Sequence, residues 1–332
     1  MNEHASLDAA LRADVAPAAE FAPINAGYNG VFRPDRLSLG LVVPIESYPG
    51  SPVPTMVDHV ERVQLAEDLG FSAVWLRDVP FNVPSFGDAG QLFDPFVYLG
   101  LLAGQTRWIA LGVASLVLPL DHPARVAKAA ASVDVLSGGR LILGVASGDR
   151  SEEYPAFNIS HTARDMLFRE GFDYIRQMAE STPVFSNHYG YVNSCMDMLP
   201  KPSGARLPLL VTGSSRQTPE WIAEHADGWM VYPRDTASQA QLVKGWRKRV
   251  AAAGRPAQPV MQPLYVDLVD DPAAPLQPIH LGYRTGVRAL RAHLRSLEVA
   301  GVNHVALNLR FNQSEVTTSL KRLSDELMAD FS

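Results

Sequence analysis

The stretch RWIALGVASLVLPLDHPARVAKAAASVDVLSGGRLILGVASGDR, residues 107–150, holds two apolar runs separated by one amphipathic segment. Short apolar runs bounded by turn residues read as strands buried on both faces. This predicts strands over 108–118 and 140–146 with a helix over 123–136 between them. Pro123 suits the first position of that helix, with His122 before it as a cap or core histidine. Gly138 and Gly139, in Ser137-Gly138-Gly139-Arg140, supply a left-handed stop and a tight turn into the next strand.

Outward from this stretch the alternation repeats. LSLGLVV (37–43) and SAVWL (72–76) read as strands, joined by a helix over 55–69 that stops at Gly70. A helix over 95–105 leads into the quoted stretch. Beyond it come helix 163–180, strand 207–212, helix 218–225, strand 227–231, helix 236–252, strand 260–268, helix 285–299, strand 303–309 and helix 314–329. Eight strand–helix pairs predict an α/β chain folded as a (β/α)8 TIM barrel. A doubly wound dinucleotide-binding sheet would carry G-x-G-x-x-G after its first strand, and none occurs. Insertions are expected at 147–162, 181–206 and 269–284; the first and last follow strands and so belong to the C-terminal face, where barrel chemistry resides. Residues 37–332 form a single barrel domain on this pattern, and 1–36 an N-terminal extension that covers one end.

Composition excludes several classes. The net charge is -6, against the clustered cations that a phosphate backbone requires, so nucleic acid is not an expected partner. Cys195 is the sole cysteine, which rules out an internal disulfide or thiolate cluster and predicts a cytoplasmic protein. Glu3, Asp8, Asp14 and Glu20 interrupt the first twenty residues, where a signal peptide needs an apolar core. The longest apolar run, Trp108 to Leu120, falls short of the ~20 residues of a membrane helix. Neither H-x-H nor H-E-x-x-H occurs, so no metal is expected, and no G-x-S-x-G elbow exists for a serine nucleophile.

In a barrel, polar residues at the C-terminal ends of strands are the functional candidates. TGSSRQTPE (212–220) follows the fifth strand, and the N–H groups of Gly213, Ser214 and Ser215, with the Arg216 fork and the following helix start, read as a phosphate cradle beside Thr212. A capped turn with incidental serines is the simpler alternative. VASGDR places Ser147, Gly148, Asp149 and Arg150 on the same rim. Asp78, after the second strand, is the candidate catalytic acid or base, against an ordinary Arg77–Asp78 ion pair.

LGFSAVWLRD (69–78), the block 107–150 and PLLVTGSSRQTPEWIAEHADGWM (208–230) together resemble the bacterial luciferase-like flavin monooxygenase superfamily, over Leu37 to about Phe331. GYNGVFRP, RDVPF, PSFGDAGQLFDP and PIHLGYRTG resemble its subgroup of luciferase-type oxidoreductases. The resemblance implies a flavin ring against the third strand and a non-prolyl cis peptide at Ala114–Ser115. It also implies that Gly213, Ser214 and Ser215 hold the flavin phosphate. Small side chains at Gly112-Val113-Ala114-Ser115 would then make room for the ring. Luminous members carry a catalytic histidine where Val79 stands here, so light emission is not expected and the acid or base stays open. The implied activity is an FMN-dependent monooxygenase using reduced flavin and O2 on a small organic substrate, the flavin reduced by a separate reductase or by its own use of NAD(P)H. An F420-dependent oxidoreductase and a non-catalytic flavin-binding protein are the alternatives. A homodimer or higher oligomer follows by analogy. Phe81, Tyr232, Arg234, Tyr283, Arg284, Asn308 and Arg310 are the expected substrate-facing groups, and the three arginines hint at an anionic substrate.

Overall fold

The computed structural model describes residues 20–331. The strands are β1 (Ser38–Val42), β2 (Ala73–Leu76), β3 (Ala110–Val117), β4 (Leu141–Ala146), β5 (Phe185–Asn187), β6 (Gly190–Val192), β7 (Leu209–Thr212), β8 (Gly228–Met230), β9 (Val260–Leu268), β10 (Gln277–Ile279), β11 (Gly282–Thr285) and β12 (His304–Asn308). β1, β2, β3, β4, β7, β8, β9 and β12 pair in that order, all parallel, and β12 returns to β1. The sheet is therefore a closed eight-stranded barrel, as the alternation predicts. Around it run α2 (His59–Asp68), α3 (Pro95–Gln105), α4 (Pro123–Leu136), α5 (Arg164–Met178), α6 (Pro219–His225), α7 (Thr236–Ala252), α8 (Val287–Val299) and α9 (Val316–Phe331), while α1 (Ala26–Val31) precedes β1.

Alternation along each strand splits the apolar residues into two sets. Leu39, Leu41, Val74, Leu76, Leu111, Val113, Leu143 and Val145 pack in the core cluster that includes the surrounding helices. Ala73, Trp75, Ala110, Ile142, Leu210, Met230, Met261 and Ala306 form a second cluster that fills the barrel. Trp75 dominates this interior. A Cβ on Gly112 would lie 2.3 Å from the Trp75 ring, so Gly112 makes room for an indole rather than for a ligand. The indole N–H donates to His304 Nε2 at 2.8 Å, and His304 Nδ1 lies 2.7 Å from Ser38 Oγ, which donates to the Val31 carbonyl at 2.7 Å. With Nε2 accepting, Nδ1 carries the ring proton. Burial pushes the His304 pKa down to about 3.

Residues before Leu37 close one end. Asn25 caps α1 at the Tyr28 N–H and donates to Asp134 and to the Leu141 carbonyl, at 2.8–2.9 Å. Tyr28, Val31 and Phe32 then join the interior cluster beneath Trp75. Residues 1–19 of the expected extension lie outside the described residues.

Two segments depart from expectation. α2 begins at His59 rather than Thr55, because Met56 and Asp58 are left-handed and Glu46 accepts the N–H groups of Thr55 and Met56 at 2.8 and 3.0 Å. Residues 269–284 hold a hairpin, β10–β11, whose second strand pairs parallel with β9. No helix among the described residues is long and apolar enough to cross a membrane.

Candidate active site

A cavity of about 750 Å³ opens at the C-terminal ends of the barrel strands. One wall is built by β3, β4 and β7. Ala114 and Ser115 line it, their peptide bond is cis, and the β3–β4 register shifts between Val113 and Leu116. Ser115 Oγ bonds Thr212 Oγ1 across the wall. Ser147, Gly148, Asp149 and Arg150 continue it after β4. Gly148 has φ +76° and a Cβ there would lie 2.6 Å from Val117, so only glycine fits. Arg150 is buried, pairs with Glu153 at 3.4 Å and lies 4.2 Å from the centre of the Phe86 ring.

The loop after β7 turns through three left-handed residues, Gly213 (φ 56°), Ser215 (φ 43°) and Arg216 (φ 62°). Such turns direct successive N–H groups to one side and form anion-binding concavities. The expected cradle needs one correction: the Gly213 N–H donates to the Met230 carbonyl at 2.8 Å and is committed to the sheet. The N–H groups of Ser214 and Ser215 donate to no described protein group, and the exposed Arg216 has no carboxylate partner among the described residues. Thr212 through Arg216 all line the cavity.

Asp78 does not pair with Arg77. Its Oδ2 accepts the Val117 N–H at 2.9 Å, and burial, reinforced by Asp121, Glu153 and Asp94, pushes its pKa up to about 7. Arg77 turns instead to Asp88, at 2.5 Å. Asp88 also takes Arg310 at 2.9 Å, the Tyr48 hydroxyl at 3.1 Å and the Gly90 N–H at 3.0 Å. These cations hold the Asp88 carboxyl below its usual range despite its burial. Asp88 was not singled out from sequence, because it stands in the irregular loop 77–94 with only the flanking glycines of FGDAG to mark it.

Asn308, Tyr232 and Arg310 line the cavity as expected. Four expected substrate-facing residues do not. The Phe81 ring meets Phe157 edge-on at 5.7 Å, Arg234 is exposed and donates to the Tyr232 carbonyl, Tyr283 packs edge-on against His293, and Arg284 pairs with Asp267 at 2.9 Å. In their place stand Tyr265 from β9 and His280 with Leu281 from the hairpin tip. Among the described residues no group of three or more His, Cys, Asp or Glu side chains is arranged to hold a metal ion.

A parallel barrel with a rim cavity, a left-handed loop with uncommitted N–H groups and a partly buried titratable carboxyl defines a small-molecule site of the kind TIM-barrel enzymes carry. The family model described as luciferase-like monooxygenase matches residues 37–331, and the chain belongs to that family. An uncharacterised protein of Mycobacterium tuberculosis is 30% identical over 228 residues, 64% of this chain and 80% of that one. An F420-dependent hydroxymycolic acid dehydrogenase of the same organism is 30% identical over 201 residues, 59% of this chain and 54% of its own length. The alkanal monooxygenase alpha chain of Photorhabdus luminescens is 26% identical over 188 residues, 55% of this chain and 51% of its own. Among solved structures, a monooxygenase from Streptomyces bottropensis superposes with TM-score 0.74 at 20% identity, over 89% of this chain and all of that one. An oxygenating constituent of 3,6-diketocamphane monooxygenase from Pseudomonas putida, in complex with FMN, gives 0.72 at 13%, over 90% and 99%.

Proposed function

We propose that the chain is an FMN-dependent monooxygenase that takes reduced FMN and O2 and oxygenates a small organic substrate. The carrying observation is one cavity with a smooth wall at one side and free anion donors at its edge. A flat ring requires a wall without bulky side chains, and Ala114, Ser115 and Ala146 provide one. A terminal phosphate requires uncommitted donors, and Ser214, Ser215 and Arg216 provide them. The cavity volume also falls within the ~300–1,000 Å³ usual for small-molecule sites.

FMN, when bound, would supply the electrons and the activation of oxygen. The chain supplies position, dryness and a proton. Leu281 and His280 at the hairpin tip and Phe86 beneath Arg150 restrict solvent on the open side. Asp78, half-protonated near neutral pH, holds a proton beside the β3 wall and is the proposed general acid or base. Reduced flavin comes from a separate reductase or from NAD(P)H. The exposed apolar side chains Val97 and Leu101, one turn apart on α3, support a homodimer, which sedimentation would test.

The similarity to an F420-dependent dehydrogenase favours hydride transfer on F420 as the second reading. Anaerobic titration with FMN, reduced FMN and F420 separates the two. The expected result is FMN binding, with peroxide yield from reduced FMN and O2 falling when protein and substrate are present. F420 binding without FMN binding transfers the assignment to hydride transfer, and tight FMN binding without turnover makes the chain a flavin-binding protein.

A further inference from the structure

We propose that the part of the cavity where Arg77, Tyr232 and Tyr265 come together is a seat for an organic anion, a carboxylate or sulfonate on an apolar body, held by these three residues. This rests on the cavity being a flavin and substrate site.

Charge is the first observation. Arg77 and Arg310 share the single carboxylate of Asp88. Two guanidinium groups against one carboxylate leave one positive charge uncompensated in a partly buried place, which is costly without an anion. No other cavity carboxylate serves it: Asp78 is held on the Val117 N–H, Glu153 pairs with Arg150, and Asp149 makes no ion pair with either guanidinium.

Hydrogen bonding is the second. Arg310 is largely spent on Asp88 and on the Gly87 and Ser51 carbonyls. Arg77 gives only one amino group to Asp88; its other donors meet no described acceptor and, unlike the Arg310 Nε, are not sealed from the cavity. The hydroxyls of Tyr232 and Tyr265 likewise bond no described group, and burial raises both phenols so that they stay donors. Asn308 spends its carbonyl oxygen on the Arg310 N–H, which leaves its amide N–H groups free. Apart from the Asp149 carboxylate, whose charge reaches the Tyr232 phenol, the uncommitted groups here are donors, and guanidinium with phenol donors matches an oxyanion. Val79, Phe86, Pro263 and Leu281 line the same cavity and suit an apolar body.

The test is calorimetric titration of four ligands with one phenylbutyl body: carboxylate, sulfonate, primary amide and amine, with and without FMN. The anions should bind about tenfold or more tighter than the amide, and the amine not at all, since hydrogen bonds to a charged group are the strong ones. Arg77→Met and Tyr265→Phe should each weaken the anions by about three- to tenfold and leave amide and FMN affinity within about twofold. Tyr265→Phe keeps the ring, so it reports even where Arg77→Met fails to fold. Equal affinity for amide and carboxylate, no binding of any of the four, or an equal loss of FMN affinity in Arg77→Met would overturn the seat. Failure of FMN to bind the unaltered protein would instead sink the flavin assignment, while the flavin-free titrations still report on the anion.

Discussion

The Asp78 carboxylate accepts the Val117 N–H at 2.9 Å, which staples the end of the second strand to the third, two residues past the cis Ala114–Ser115 bond. A titratable group thus sits in the cavity beside the proposed flavin wall. Its acidity is a matter of stability as well as of catalysis.

Burial raises the Asp78 pKa from 3.8 to about 7. Over that interval the unfolded chain releases the proton while the folded chain keeps it, so stability falls as pH rises from about 4 to about 7. Asp78→Asn removes the dependence. Relative to wild type, the variant should gain about 1–3 kcal/mol between pH 5 and pH 8 in denaturant titrations. A constant difference across that range would show that Asp78 is charged throughout.

His304 carries the opposite sign. Its folded pKa is depressed from 6.5 to about 3, so stability is intact above 6.5 and is lost as pH falls toward 3. Its imidazole resonances should therefore stay fixed between pH 8 and pH 4.5, followed by NMR of histidine-labelled protein. Movement near pH 6.5 would mean that the Trp75–His304–Ser38 chain does not hold.

Gly213 faces open space, and its backbone at φ +56° alone demands glycine. Gly213→Val forces a β-branched residue into the left-handed region at about 1–2 kcal/mol. The loop should flatten while the barrel persists. FMN affinity should drop about tenfold or more for lost charge-assisted bonds, measured by flavin fluorescence beside an unchanged far-ultraviolet spectrum.

Gly112→Ala places a methyl group 2.3 Å from the buried Trp75 ring. Overpacking at this site should cost about 1–3 kcal/mol. Trp75→Leu alone is destabilising through its cavity, yet it removes the ring that the new methyl meets, so the double variant should lose less stability than the sum of the two single losses. Strict additivity in chemical denaturation would refute the packing assignment.

The barrel was legible because strands buried on both faces read as unbroken apolar runs, such as LILGVA over Leu141–Ala146. The cavity wall at Ala114, Ser115 and Ser147 stood out in the sequence as small and hydroxyl residues at strand ends against those runs, while the flavin proposed for it came from the family resemblance. The rest of the lining was legible only in part, at Tyr232, Asn308 and Arg310. Tyr265 lies inside β9 and reads as one more core position, and His280-Leu281 forms a hairpin tip without the usual Asn-Gly signal. Tyr283 and Arg284 were expected at the site because 269–284 read as a free loop. Pairing of β11 with β9 fixes their directions, and Asp267 captures Arg284. The small residues of 112–115 likewise serve two purposes that sequence merges, since Gly112 yields to Trp75 and only Ala114 and Ser115 reach the cavity.

A tube has two mouths, and this chain stoppers the lower one with Tyr28, Val31 and Phe32, residues that precede the family-matched span of 37–331. The span that the family model matches is thus shorter than the unit that closes this chain's own bore. A protein trimmed to the matched span would present Trp75 and Ile142 to solvent from below, and transplanting only that span into another scaffold would carry the chemistry without its plug.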